Sequence, residues 1–106
     1  MAERMLNDQQ NTLYFSVVSL WEISIKTGLG RPDFSVDPAL LRRGLQESFY
    51  RELPMTGDHA LMVATLPLLH RDPFDRLLIA QALSEGLLLL TRDAAIAQYP
   101  GPIKLV

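Results

Sequence analysis

Apolar and polar positions change period several times along the chain. Each change marks a boundary between predicted elements. Met5 and Leu6 lie within a segment, Ala2 to Asp8, that reads as the end of a helix, and Asn7 to Asn11 is a polar turn. Thr12-Leu13-Tyr14-Phe15-Ser16 is rich in aromatic and β-branched residues and predicts a short strand. Val17 to Thr27 predicts a helix, stopped by Gly28 and Gly30. After a loop at Arg31 to Val36, Asp37-Pro38 reads as an N-cap followed by proline at the first helical position. That helix carries Leu40, Leu41, Leu45 and Phe49. Arg51 to Pro54 is extended. Thr56 or Asp58 opens another helix through Leu61, Met62, Thr65 and Leu66.

Asp72-Pro73 repeats the cap-and-proline device and starts the strongest helical stretch, Phe74 to Glu85, which Gly86 ends. The continuous apolar run Leu87 to Leu90 predicts a buried strand. Asp93 to Gln98 reads as a short helix and Ile103 to Val106 as a last strand. The order is helix, strand, helix, helix, strand, helix, helix, strand, helix, strand. Such alternation predicts an α/β domain with a mainly parallel sheet between helical layers. Opening on a helix fragment departs from that plan, which normally starts with a strand.

Composition narrows the function. The 106 residues suit a single domain, and 48% hydrophobic with 21% charged residues excludes a disordered or low-complexity chain. Cysteine is absent, which removes disulfides, thiolate zinc sites and a cysteine nucleophile. No apolar run approaches the roughly 20 residues of a membrane span, and Met1-Ala2-Glu3-Arg4-Met5 has no signal core, so a cytoplasmic location is expected. The net charge is -2, so binding a polyanion would need metal ions or a local arginine cluster.

Three carboxylates stand out. Glu22 shares a helical face with Val18, Trp21, Ile25 and Leu29, where a charge is costly unless paired or metal-bound. A salt bridge to Lys26 is the simpler reading. Asp75 falls one turn into the helix that Asp72 caps, where it suits the positive end of the dipole or faces the sheet edge. Asp93 follows a parallel strand, where α/β proteins place ligands, or it caps the next helix. If the three converge, their mutual repulsion calls for a cation, and hard oxygen donors suit Mg²⁺ or Mn²⁺. Such ions serve phosphodiester hydrolysis. His59 and His70 lack zinc spacing and read as surface or helix-end residues, and Arg42-Arg43 reads as a solvated helix face. The serines lack a nucleophile-elbow context, and no phosphate-binding glycine loop occurs.

Ser16-Val17-Val18-Ser19-Leu20-Trp21-Glu22-Ile23, with Lys26 and Gly28-Leu29-Gly30, resembles the second acidic motif of PIN-domain proteins of the VapC toxin type. His70 to Ala82, containing Asp72-Pro73-Phe74-Asp75-Arg76, closely resembles their third. Leu87 to Leu90 with Thr91-Arg92-Asp93 resembles their fourth. The resemblance implies a three-layer α/β/α domain over residues 1–106 and a Mg²⁺- or Mn²⁺-dependent endoribonuclease, the toxin half of a toxin–antitoxin pair. It implies Glu22, Asp75 and Asp93 as catalytic metal-binding carboxylates, Thr91 as a hydrogen-bonding support, and Arg76 and Arg92 as contacts to RNA phosphate. A homodimer and a cognate antitoxin are the implied partners. The family begins with a strand ending in an Asp, and this chain starts partway through the helix that follows. The expectation is an N-terminally truncated domain with weakened cleavage, or a catalytically silent remnant serving dimerisation or antitoxin binding. A second chain completing the sheet is a further expectation.

Overall fold

The computed structural model describes residues 11–30, 36–68, 71–91 and 93–105, with the backbone alone at Ala95. The elements are β1 (Tyr14–Ser16), α1 (Val17–Gly28), α2 (Pro38–Glu47), β2 (Arg51–Leu53), α3 (Gly57–Met62), a 3₁₀ turn (Val63–Thr65), α4 (Pro73–Glu85), β3 (Leu89–Thr91), α5 (Ala94–Ala97) and β4 (Ile103–Leu105). The architecture is mixed α/β with parallel strands. The helix expected at Ala2 to Asp8 lies outside the described residues. The described residues fall into two compact units, one from Asn11 to Pro54 and one from Met55 onward.

In the first unit β1 and β2 pair in parallel, Tyr14 opposite Arg51 and Ser16 opposite Leu53. Chain direction changes without a loop at Ser16. Its hydroxyl accepts the Val18 N–H at 3.0 Å and caps α1. Asp37 caps α2 in the same manner, accepting from Ala39 and Leu40, with Pro38 at the first position. Helix α2 buries none of its residues fully, so its apolar side is only partly covered.

The second unit holds the larger core. Leu66, Ile79, Ala80, Ile96 and Tyr99 are buried together, with Met62, Val63, Leu83, Leu89 and Ile103 packed around them. Strands β3 and β4 pair in parallel, Leu89 opposite Ile103 and Thr91 opposite Leu105. The expected strand Leu87–Leu90 is displaced to Leu89–Thr91. The reason is local. Gly86 takes a left-handed conformation (φ 67°) and Leu87 N–H bonds back to the Ala82 carbonyl, so Leu87 still belongs to the end of α4. Gly101 permits the close approach between α4 and the loop before β4. Its φ is 138°, and a methyl there would sit 2.8 Å from the Leu83 Cδ2. Among the described residues no helix is long and apolar enough to cross a membrane.

Candidate active site

The Asp72-Pro73 device works as its sequence implies. Asp72 Oδ1 accepts the N–H groups of Phe74 at 2.9 Å and Asp75 at 3.2 Å. Two of the orphan donors of α4 are thereby satisfied. Asp75 is left in the first turn, half-buried, where the helix dipole favours a negative charge.

Arg76, the next residue, turns into the unit. Its Nη1 donates to the Pro67 carbonyl and the Tyr99 hydroxyl, each at 3.2 Å, and its Nη2 donates to the Val63 carbonyl at 3.1 Å. The planar guanidinium fork thus gathers the exit of the 3₁₀ turn and the buried Tyr99 onto the start of α4.

At the end of β3, the Thr91 hydroxyl accepts the Asp93 N–H at 3.0 Å. The Asp93 carbonyl then accepts from Ala97 N–H and opens α5, so this exposed aspartate sits at a strand-to-helix turn. Arg92 lies outside the described residues.

Glu22 occupies α1, half-buried, with Oε2 2.9 Å from Lys26 Nζ. This is the i, i+4 ion pair that the spacing allows, Glu before Lys in the favourable order. Glu22 belongs to the unit ending at Pro54, and Asp75 and Asp93 belong to the other. Carboxylate oxygens are the correct donors for a hard divalent ion. Among the described residues, however, no group of three or more histidines, aspartates and glutamates is gathered closely enough to hold one.

Of the two expectations for His59, surface or helix end, the second holds. It stands in the first turn of α3 and is fully buried. Its Nδ1 accepts the Thr56 N–H at 3.1 Å, while Thr56 Oγ1 accepts the His59 N–H at 3.4 Å, a reciprocal cap on α3. The Nδ1 lone pair is therefore engaged and the ring proton sits on Nε2, which donates to Glu85 Oε1 at 2.7 Å. The buried Gln81 amide approaches Nδ1 at 3.4 Å. The Thr56-x-x-His59 spacing carried the capping signal, with His in the place usually taken by Glu or Gln. Glu85, 26 residues on, left none. His70 lies outside the described residues. Arg42 is not merely solvated. Its Nε and Nη2 donate to the two oxygens of Glu52 at 2.6 and 3.0 Å, and this fork holds the Glu52 carboxyl below the usual glutamate range.

Comparison with known families matches the chain to a family model. The model described as "PIN domain" covers residues 1–102. A search of curated proteins gives no match.

Proposed function

The chain belongs to the PIN-domain family, and from that premise we propose that it is an endoribonuclease of the VapC toxin type. PIN domains are generally nucleases that use divalent metals. The finer reading is hydrolysis of RNA phosphodiesters with Mg²⁺ or Mn²⁺, in the cytoplasm, by a homodimer restrained by a cognate antitoxin. Glu22, Asp75 and Asp93 are the carboxylates assigned to it. The observation that carries the reading is the family match over a segment containing Asp72-Pro73-Phe74-Asp75. Its support in the fold is that Asp72 caps α4 and sets Asp75 in the first turn of that helix, where the dipole favours a negative charge. Thr91 contributes by holding the turn that carries Asp93.

The test is cleavage of a fluorescent single-stranded RNA in Mn²⁺ by wild type and Asp75→Asn. Slow cleavage that EDTA stops and the variant lacks is expected. Cleavage of equal rate in both would overturn the assignment.

A second reading is a catalytically silent PIN-fold module for dimerisation or antitoxin binding. Two observations favour it: Glu22 is already paired with Lys26, and the described residues gather no three metal-ligating side chains. It predicts no cleavage and no metal binding by a fully folded chain.

A further inference from the structure

Beyond α1 and α4 the backbone turns left-handed at a glycine, Gly30 at φ 66° and Gly86 at φ 67°. Beyond α2 the residue in that conformation is Phe49, also at φ 67°. Hydrogen bonds hold it there: Phe49 N–H donates to the Gln46 carbonyl at 3.1 Å and Tyr50 N–H to the Leu45 carbonyl at 3.0 Å. Glycine takes this backbone freely, whereas a residue with a Cβ takes it at a cost. Burial of the side chain does not offset that cost, because Phe49 is 91% exposed. An apolar ring held out in water on strained backbone adds nothing to the core, and such outliers point to a contact with another molecule.

The surroundings of the ring select the kind of contact. Gln46, Glu47, Ser48 and Arg51 are polar and exposed, so the phenyl is a single apolar group and not the centre of an apolar patch. A protein partner buries a patch with an apolar core. A nucleobase needs only one flat ring, and every base has a π-face to lay on it. A charge suited to the backbone of such a ligand is close in the chain. Arg42 and Glu52 neutralise each other in their fork. Arg51, two residues after the ring, is exposed and makes no ion pair among the described residues. Its N–H donates to the Leu13 carbonyl at 2.8 Å, which fixes the backbone that carries the guanidinium at the start of β2. Glu47 precedes the ring, so a phosphate is favoured on the Arg51 side. An aromatic ring and a guanidinium on one short, fixed segment are the two parts of a site for single-stranded nucleic acid.

We propose that Phe49 is the platform for one unstacked base of a single-stranded RNA, with Arg51 on a neighbouring phosphate. The proposal rests on the ribonuclease reading and deepens it, by assigning two substrate-positioning residues that the acidic motifs do not contain. Stacking on a bare ring tolerates any base. The contact therefore selects single strands over duplexes, whose bases are already stacked, and does not select a sequence. Both residues act in binding, so their loss raises KM and leaves kcat in place.

The test is fluorescence anisotropy of a labelled oligouridylate with the full chain in EDTA, where metal-dependent cleavage is off. Circular dichroism confirms the fold of each variant. Phe49→Gly removes the ring and relieves the backbone, so it is expected to lose affinity about tenfold while melting at or above the wild-type temperature. Phe49→Trp is expected to bind at least as tightly as wild type. Phe49→Leu, apolar but without a π-face, is expected to bind as weakly as the glycine variant. Arg51→Gln is expected to lower the salt dependence by about one ion. In Mn²⁺, Phe49→Gly is expected to raise KM about tenfold at unchanged kcat. A wild type that ignores the single strand or binds a duplex equally well would overturn the proposal. So would a leucine variant that binds like wild type, or a glycine variant of unchanged affinity. In that last case, altered sedimentation would reassign the ring to a protein contact. Asp75→Asn, which the ribonuclease reading expects to lose cleavage, is expected to bind the oligouridylate as wild type does. Failure of that reading and failure of the Phe49 platform are therefore read separately.

Discussion

Replacing Arg76 by Ala separates a structural clamp from an RNA contact at one position. The wild-type guanidinium donates to Val63 O, Pro67 O and Tyr99 OH. Hydrogen bonds from a charged donor are worth about 1.5–3 kcal/mol each when well shielded. Pro67 is exposed, so water replaces that bond at little cost. Val63 is half-buried and Tyr99 is only 3% exposed, so those two contacts dominate. Discounting for the partial exposure of Arg76 itself, the loss comes to about 2–3 kcal/mol. That is a large part of the 5–15 kcal/mol available to a domain and lowers the melting temperature by roughly 10–20 °C. Arg76→Lys, a point charge that reaches one acceptor at a time, should recover less than half. Urea unfolding followed by far-ultraviolet circular dichroism measures both. An Arg76→Ala variant that unfolds within about 0.5 kcal/mol of wild type would refute the clamp. It fails most clearly if the same variant loses RNA affinity and the salt dependence drops by about one ion, the signature of a phosphate contact.

Three further outcomes are expected. His59→Ala removes the reciprocal cap on α3 and the bond to Glu85 and leaves a ring-sized void, so urea unfolding should register a loss of about 3 kcal/mol, with His59→Asn less severe because its amide oxygen can still accept from Thr56. Gly101→Ala drives a methyl into Leu83 at a backbone angle that L residues avoid, and should cost about 2 kcal/mol by the same measurement. Glu52 is held below its ordinary range first by its hydrogen bonds from Arg42, so the stability it adds is fully present above the ordinary glutamate value of about 4.3 and is lost as the pH falls through the lower, folded one. The melting-temperature difference between wild type and Glu52→Gln should be small, constant well above the ordinary glutamate value, and should shrink as the pH falls below it.

What could be read from the sequence was local. Asp37-Pro38 and Asp72-Pro73 announce helix starts because the cap, the proline and the accepted N–H groups all lie within three residues. Gly86 announces a stop for the same reason. Errors arose where a distant partner or a positive φ decided the outcome. His59 is buried because Glu85 and Gln81 arrive on another helix. The inward bonds of Arg76 to Tyr99, 23 residues later, have no local signal either, and whether the same side chain also meets RNA is left to the Arg76→Ala test. Phe49 continues the apolar side of α2 in the sequence pattern, and nothing in a phenylalanine signals left-handed backbone. At the candidate site, the local setting of each acid was legible: the Lys26 pair for Glu22, the first-turn position of Asp75, the strand end before Asp93. Their assembly is a matter of long-range geometry, on which periodicity is silent.

In the proposed function Glu22, Asp75 and Asp93 serve a divalent cation. Calorimetric titration of Mn²⁺ into the wild-type chain, run beside Asp75→Asn, tests it most directly. A weak but saturable heat is expected for wild type, and the variant should lose it. Superimposable titrations from two equally folded proteins would contradict it.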